Sequence, residues 1–298
     1  MVKNISNAEA TIALPKLRKV RPKWKLSIAN VSIYVASFVL LFIVICAIFP
    51  SWIAPFEPTY MDTEQILTAP SSQHYFGTDH YGRDVFSSVV YGSRDALIIG
   101  VSAVAIGLLI GSVIGAISGY VGGRVDIIIM RLNEILMTIP GILLALAIAA
   151  VLGPSLRNLV MAIAIASIPS YVRVMRAQML SIKKRNFVAA STAIGTPPWR
   201  ILIWHILPNA ISPLLVMGTI GLGTAILSGA GLSFLGLGVV KEIPDWGALL
   251  SQGRNYLTVA WWIATFPGLA ITAFVLAVNI IGDKFQEVTN PKLKKENR

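Results

Sequence analysis

Charge is scarce in this sequence. Only 13% of its 298 residues are Asp, Glu, Lys or Arg, roughly half of what a soluble domain uses to cover its surface. That excludes a water-soluble fold. Cysteine is nearly absent: Cys46 stands alone, so neither an internal disulfide nor a thiolate metal cluster can form within the chain. There are three histidines, His74, His80 and His205. The phosphate-cradling pattern GxxxxGKS/T does not occur, nor do HExxH or GxSxG, and Gly236 and Gly238 lack the third glycine of a dinucleotide fingerprint. The chain reads as no enzyme, with no cofactor, metal or catalytic residue of its own.

What it has instead is apolar residues, 55% of the total, gathered in blocks near the roughly 20 residues a membrane helix needs. They run over residues 28–49, 96–118, 135–152, 159–172, 210–232 and 261–281. The fourth is short and contains Pro169. Six spans put both termini on one side. Twenty of the 25 Lys and Arg residues then fall on the inner side, against Arg83, Arg94, Arg157, Lys241 and Arg254 outside, and this bias places both termini in the cytoplasm. The net charge of +11 follows from topology and anionic lipid. Nucleic acid is not implied, because the basic residues are spread over separate segments of one membrane face.

The expected organisation is a basic arm (1–27), a first span (28–49), an acidic external loop (50–95), a core (96–283) with an inner loop at about 173–209, and a cytoplasmic tail (284–298). The first apolar block reads as an uncleaved helix, because Phe49-Pro50 follows it where a cleavage site needs small residues. Gly107, Gly111, Gly115 and Gly119 recur every fourth residue and form a stripe that admits a close helix neighbour, in this chain or another. Pro140, Pro169 and Pro267 interrupt helical stretches, as broken helices along transport routes do and as plain kinks do. Arg131 and Glu134 lie three apart, hence on one helix face, as a coupling pair for a proton-driven carrier or as charges at the membrane rim. His74 and His80 share the external loop with Asp79 and Asp84, but at no standard metal-ligand spacing.

The inner loop is the most informative segment. Asn186 to Ile194 reads as a short helix rich in small residues, with Gly195 as its C-cap. Pro197 and Pro198 then open a second helix. Phe187, Ala189, Ala190 and Ser191 lie on the first helix, and Ile206-Leu207-Pro208 follows the second. This loop resembles the EAA motif of binding-protein-dependent ABC permeases: E-A-A, three residues, a glycine, and a later I-L-P. Ala189, Ala190 and Ser191 occupy the three EAA positions, with Ala189 in place of the usual glutamate.

Other segments resemble the dipeptide, oligopeptide and nickel branch of that family. Phe76 to Asp84 matches its GTDxxGRD signature through Gly77, Asp79, Gly82, Arg83 and Asp84. Ser233 to Val239, Pro244 to Gly247 and Asn279 to Asp283 match its SFLGLG, PxWG and NxxGD stretches. Within the signature, Asp79 is expected to cap a short helix and to pair with Arg83, Gly77 and Gly82 to permit tight turns, and the whole to brace the outer gate. Trp246 is expected at the outer interface.

The resemblance implies an all-α type I importer permease, with a five-helix core and a peripheral N-terminal helix, in a bacterial inner membrane. It implies a second homologous permease, two ATP-binding subunits that hold ATP and Mg, and an extracytoplasmic substrate-binding protein. The residues near 187–200 and Pro208 would receive the ATPase subunits. Peptides are the first substrate expectation; nickel, metal chelates or opine-like carriers are the alternative, and a proton-coupled carrier or a structural assembly factor are rivals of another class.

Overall fold

The apolar runs form helices, because a backbone in lipid must satisfy its own N–H and C=O groups. The computed structural model describes residues 28–239 and 241–289. The basic arm expected over 1–27 and residues 290–298 of the tail lie outside them. No strand occurs among the described residues; one isolated bridge pairs Thr78 with Asp84.

Helix α1 (Ile28–Ile48) is followed by a short turn, α2 (Pro50–Ile53). A 3-10 turn, Thr63–Gln65, leads through the outer loop to α3 (Val85–Val121). Then come α4 (Gly123–Met137), α5 (Gly141–Leu152), α6 (Leu156–Lys183), α7 (Asn186–Ala193) and α8 (Pro198–Ile201). A π-helical turn, Leu202–Ile206, feeds α9 (Leu207–Phe234). A short α10 (Trp246–Gly253) precedes α11 (Trp262–Thr289).

Five of these helices, or helical stretches, are long and apolar enough to cross a membrane. The sixth crossing is broken: α4 and α5 meet at 88°. The break falls at Pro140, which holds φ −53° and ψ 129°. Proline has no N–H to continue a helix and drives its predecessor out of helical geometry. The third span expected at 135–152 is therefore split: residues 135–137 belong to α4 and 141–152 to α5, and the crossing is made by the two together. Pro169 and Pro267 lie inside unbroken helices, so of the three prolines only Pro140 breaks a span. The fourth span is not short, because α6 runs for 28 residues through Pro169.

The glycine stripe decides the packing. A Cβ on Gly111 would stand 2.6 Å from Tyr171 Cβ, one on Gly115 2.5 Å from Val172 O, and one on Gly119 2.6 Å from Met179 Cβ, while one on Gly107 would meet Ser167 Oγ. All four neighbours are on α6, and both residue series ascend together. Helices α3 and α6 are thus parallel and pressed backbone to backbone. Parallel neighbours need one return crossing between them, and the α4–α5 pair supplies it. Contacts of Gly100 with Ile226 and of Gly218 with Leu108 set α9 antiparallel to α3. The chain therefore makes six crossings. Helix α1 lies at the periphery against α3 and α11, and over residues 31–48 only Ala36, Ile43, Cys46 and Ala47 are buried.

Two helices reach past their expected spans. Val85 starts α3 inside the segment expected as the external loop, because Asp84 caps it, accepting from Ser87 N at 2.7 Å. Helix α6 runs on to Lys183, so the inner loop expected from about Arg173 begins only at Lys184.

Candidate functional site

Three regions carry the residues singled out above. The first is the loop between α6 and α9. Helix α7 buries Val188 alone; Phe187, Ala189 and Ala190 are exposed and Ser191 is half-buried. Gly195 holds φ +80°. Thr196 N–H donates to Ser191 O at 3.1 Å and Gly195 N–H to Thr192 O at 3.0 Å, which is the paired pattern of a Schellman C-cap. A β-carbon at such a φ is strained, so glycine ends α7 and reverses the chain. Pro197 and Pro198 then start α8 without wasting donors. The Tyr120 hydroxyl donates to Pro198 O at 2.8 Å, and Lys183 Nζ donates to Tyr120 O at 2.9 Å. The ends of α3, α6 and α8 are thereby tied together. Pro208 lies apart from this turn, exposed in the first turn of α9 and beyond the π-helical turn.

The second region caps the other end of α3. Gly77 and Gly82 turn the chain at φ +72° and +73°, bringing Asp79, Arg83 and Asp84 together. Asp79 caps no helix. Its carboxylate accepts from Tyr81 N at 2.8 Å, Arg83 N at 2.9 Å and Arg83 Nε at 2.7 Å. The capping carboxylate is Asp84, which also meets His74 Nδ1 at 2.9 Å. Arg83 reaches on to Glu242 O and Gln252 Oε1, each at 3.2 Å, so one buried guanidinium joins the two outer loops. Trp262 Nε1 donates to Thr78 O at 3.0 Å. Trp246 is not at the interface: it is 2% exposed and donates to Val89 O at 2.8 Å. The side-chain pattern of an isolated turn does not show that another helix closes over it.

Burial shapes the titration of this cap. It pushes the Asp245 carboxyl up, against hydrogen bonds from Ala248 N–H and the Ser233 hydroxyl. It pushes His80 below the ordinary 6.5; nearby Asp79 raises it and Arg83 lowers it further. Among the described residues, no group of three or more His, Cys, Asp and Glu side chains is placed to hold a metal.

The third region is a cleft of about 560 Å³ lined by the middle stretches of α3, α6 and α9 and the first half of α5. The sequence reading did not find it. Ser167, Ser170 and Tyr171 from α6 and Thr224 and Ser228 from α9 line it. The only local signal was Thr224 and Ser228, one turn apart in an apolar span. Also unread was an ion pair across the bundle: Arg176 Nε and Nη2 donate to Asp126 at 2.5 and 2.6 Å, and the Ser118 hydroxyl donates to the same carboxylate at 2.5 Å. By contrast, Arg131 and Glu134 pair at 3.1 Å on the exposed side of α4.

These regions define a polytopic helical membrane protein with a protruding helical loop at one end, a braced cap at the other and an open cleft between. Residues 111–295 match the family described as the binding-protein-dependent transport system inner membrane component. The chain belongs to that family. It is 46% identical to the glutathione transport system permease protein GsiD of Shigella sonnei, over 87% of this chain and 86% of that one. It is 41% identical to the di/tripeptide transport system permease protein DppC of Pseudomonas aeruginosa and to the probable D,D-dipeptide transport system permease protein DdpC of Escherichia coli, each over 86% of both chains.

Proposed function

We propose that this chain is one of two related permeases in an ATP-driven importer of short peptides in the bacterial inner membrane. An extracytoplasmic binding protein delivers the peptide to the capped end. Two ATP-binding subunits dock at the opposite, cytoplasmic end, where both termini lie, and ATP and Mg are bound there and not by this chain. The three relatives are permeases of D,D-dipeptide, di/tripeptide and glutathione transport systems, which favours peptide over nickel or metal chelates and over a proton-coupled carrier.

The observation that carries the reading is the α7–α8 loop. An exposed surface of small side chains (Ala189, Ala190) flanked by the apolar Phe187, Ile194 and Trp199, held by a C-cap and two hydrogen bonds, is built to be pushed. Through Tyr120 and Lys183 the push reaches α3 and α6; through α8 and the π-helical turn it reaches α9. Those three helices line the cleft. Single-turn π-helices accommodate a change of register, so Leu202–Ile206 suits the joint.

The test uses the assembled complex. Ala190→Arg places a long charge on the docking face, and Gly195→Asp strains the turn. Both are expected to reduce peptide-stimulated ATP hydrolysis at least about tenfold, the scale of one lost interface anchor, while the permease pair is still recovered from membranes. Hydrolysis at the wild-type rate in both variants would remove the docking role.

A further inference from the structure

The central cleft has a chemistry that the docking loop and the cap do not explain. Its volume, about 560 Å³, is that of a small-ligand site. No Asp, Glu, Lys, Arg or His lines it. Its polar groups are hydroxyls. Tyr171 is 2% exposed and lines the cleft, yet its hydroxyl has no hydrogen-bond partner among the described residues. Ser170, Thr224 and Ser228 also line it with hydroxyls that have no such partner. These hydroxyls open onto the cleft, where the donors and acceptors of a ligand can reach them.

Tyr171 is placed with care. A Cβ on Gly111 would stand 2.6 Å from its Cβ, one on Gly107 3.4 Å from its ring, and one on Gly221 2.5 Å from its hydroxyl. Two helices omit side chains where this ring passes, at the middle of α6.

We propose that this cleft is where the chain handles the main chain of its cargo. The hydroxyls of Ser170, Tyr171, Thr224 and Ser228 exchange hydrogen bonds with peptide N–H and C=O groups, and side-chain charge is not read there. The inference rests on the peptide-import reading. A lipid acyl chain or an apolar helix offers these hydroxyls no partner, whereas a peptide presents alternating donors and acceptors, and a hydroxyl serves both. A fixed charge on the wall would hold one class of side chain and repel another. A neutral wall treats them alike, so selection by side chain is left to other parts of the importer.

The assembled importer in lipid vesicles provides the test, with uptake of alanyl-alanine, alanyl-glutamate and alanyl-lysine. Tyr171→Phe is expected to lower the uptake kcat about threefold to tenfold, equally for all three dipeptides. The KM, set by the external binding protein, and the melting temperature are retained. Unchanged uptake, or a loss confined to one charge class, overturns the proposal. A second arm, in a Cys46→Ser background, compares Thr224→Cys with Leu215→Cys, an exposed position about two and a half turns away on the opposite face of the same helix. The probe is alanyl-lysine bromoacetylated on its side-chain amine, from which the thiolate displaces bromide. Labelling at position 224 is expected to require binding protein and ATP, and position 215 to stay unlabelled. Equal labelling at both, or labelling of position 224 only by a lipid-soluble maleimide, overturns it in favour of a lipid-filled groove. If the wild type takes up none of the dipeptides, the peptide reading falls and this inference with it. If the wild type takes them up and position 224 stays unlabelled, only this inference falls.

Discussion

His80 lies between two tyrosine rings, 4.0 Å from Tyr81 and stacked 5.1 Å from Tyr256 between centroids. Its Nδ1 is buried with no hydrogen-bond partner. Burial lowers its pKa below 6.5, so the folded protein holds the ring neutral while the unfolded chain protonates. The unfolded state then binds more protons, and stability falls as pH drops below about 6.5. His80→Phe keeps the ring and removes the titration. Melting curves of the purified permease pair at neutral and acidic pH are expected to show a smaller acid loss in the variant; an identical loss would mean that His80 stays solvated. The raised Asp245 carboxyl acts with the opposite sign, so the difference between variant and wild type, rather than either curve, isolates His80. At this scale the sequence was partly legible. The four-residue spacing of Asp79 and Arg83 disclosed their pairing, but the cap belongs to Asp84, because the helix start depends on where α3 must reach.

Among elements, the contact of α3 with α6 matters most. Four glycines let two helices meet without the side-chain layer that normally separates them, and lipid supplies no hydrophobic drive to replace that packing. Gly111→Leu puts a side chain where Tyr171 Cβ and Ile168 O already stand. Overpacking of this kind costs about 1–3 kcal/mol or more, while leucine inserts into lipid as well as glycine or better. The variant is expected in the membrane at normal levels but with a lowered melting temperature and little transport. Retention of both would mean that α3 and α6 part in the assembled importer. The fourfold spacing was legible, since one helix turn fixes which residues share a face. The identity of the neighbour was not, because it depends on how α4 and α5 return the chain.

For the whole molecule, six crossings put Ser72 and Lys184 at opposite ends of the bundle. Ser72 lies in the exposed loop before α3, and Lys184 follows the end of α6, beside the end of α3. Helix α3 alone spans 37 residues, or about 55 Å at 1.5 Å per residue. Single cysteines at these positions, with Cys46→Ser, are expected to react with a membrane-impermeant thiol reagent from opposite faces of intact cells and inverted vesicles. Reaction of both from outside would end the six-crossing topology.

The sequence by itself determined the membrane class, the count of crossings, the family likeness and the local form of the α7 turn. Each is written in composition or within a few neighbouring residues: low charge, apolar runs, a small-residue helix ended by Gly195, and prolines that open the next. Only the tertiary structure decided that the glycine stripe faces α6 of the same chain. It also decided that Pro140 alone of the three prolines breaks a crossing, that Trp246 turns inward, and that Tyr171 meets Thr224 and Ser228 around one cleft. Those outcomes join residues from separate helices, and in lipid such helices are placed by mutual packing and hydrogen bonding, for which no stretch of chain carries the signal alone.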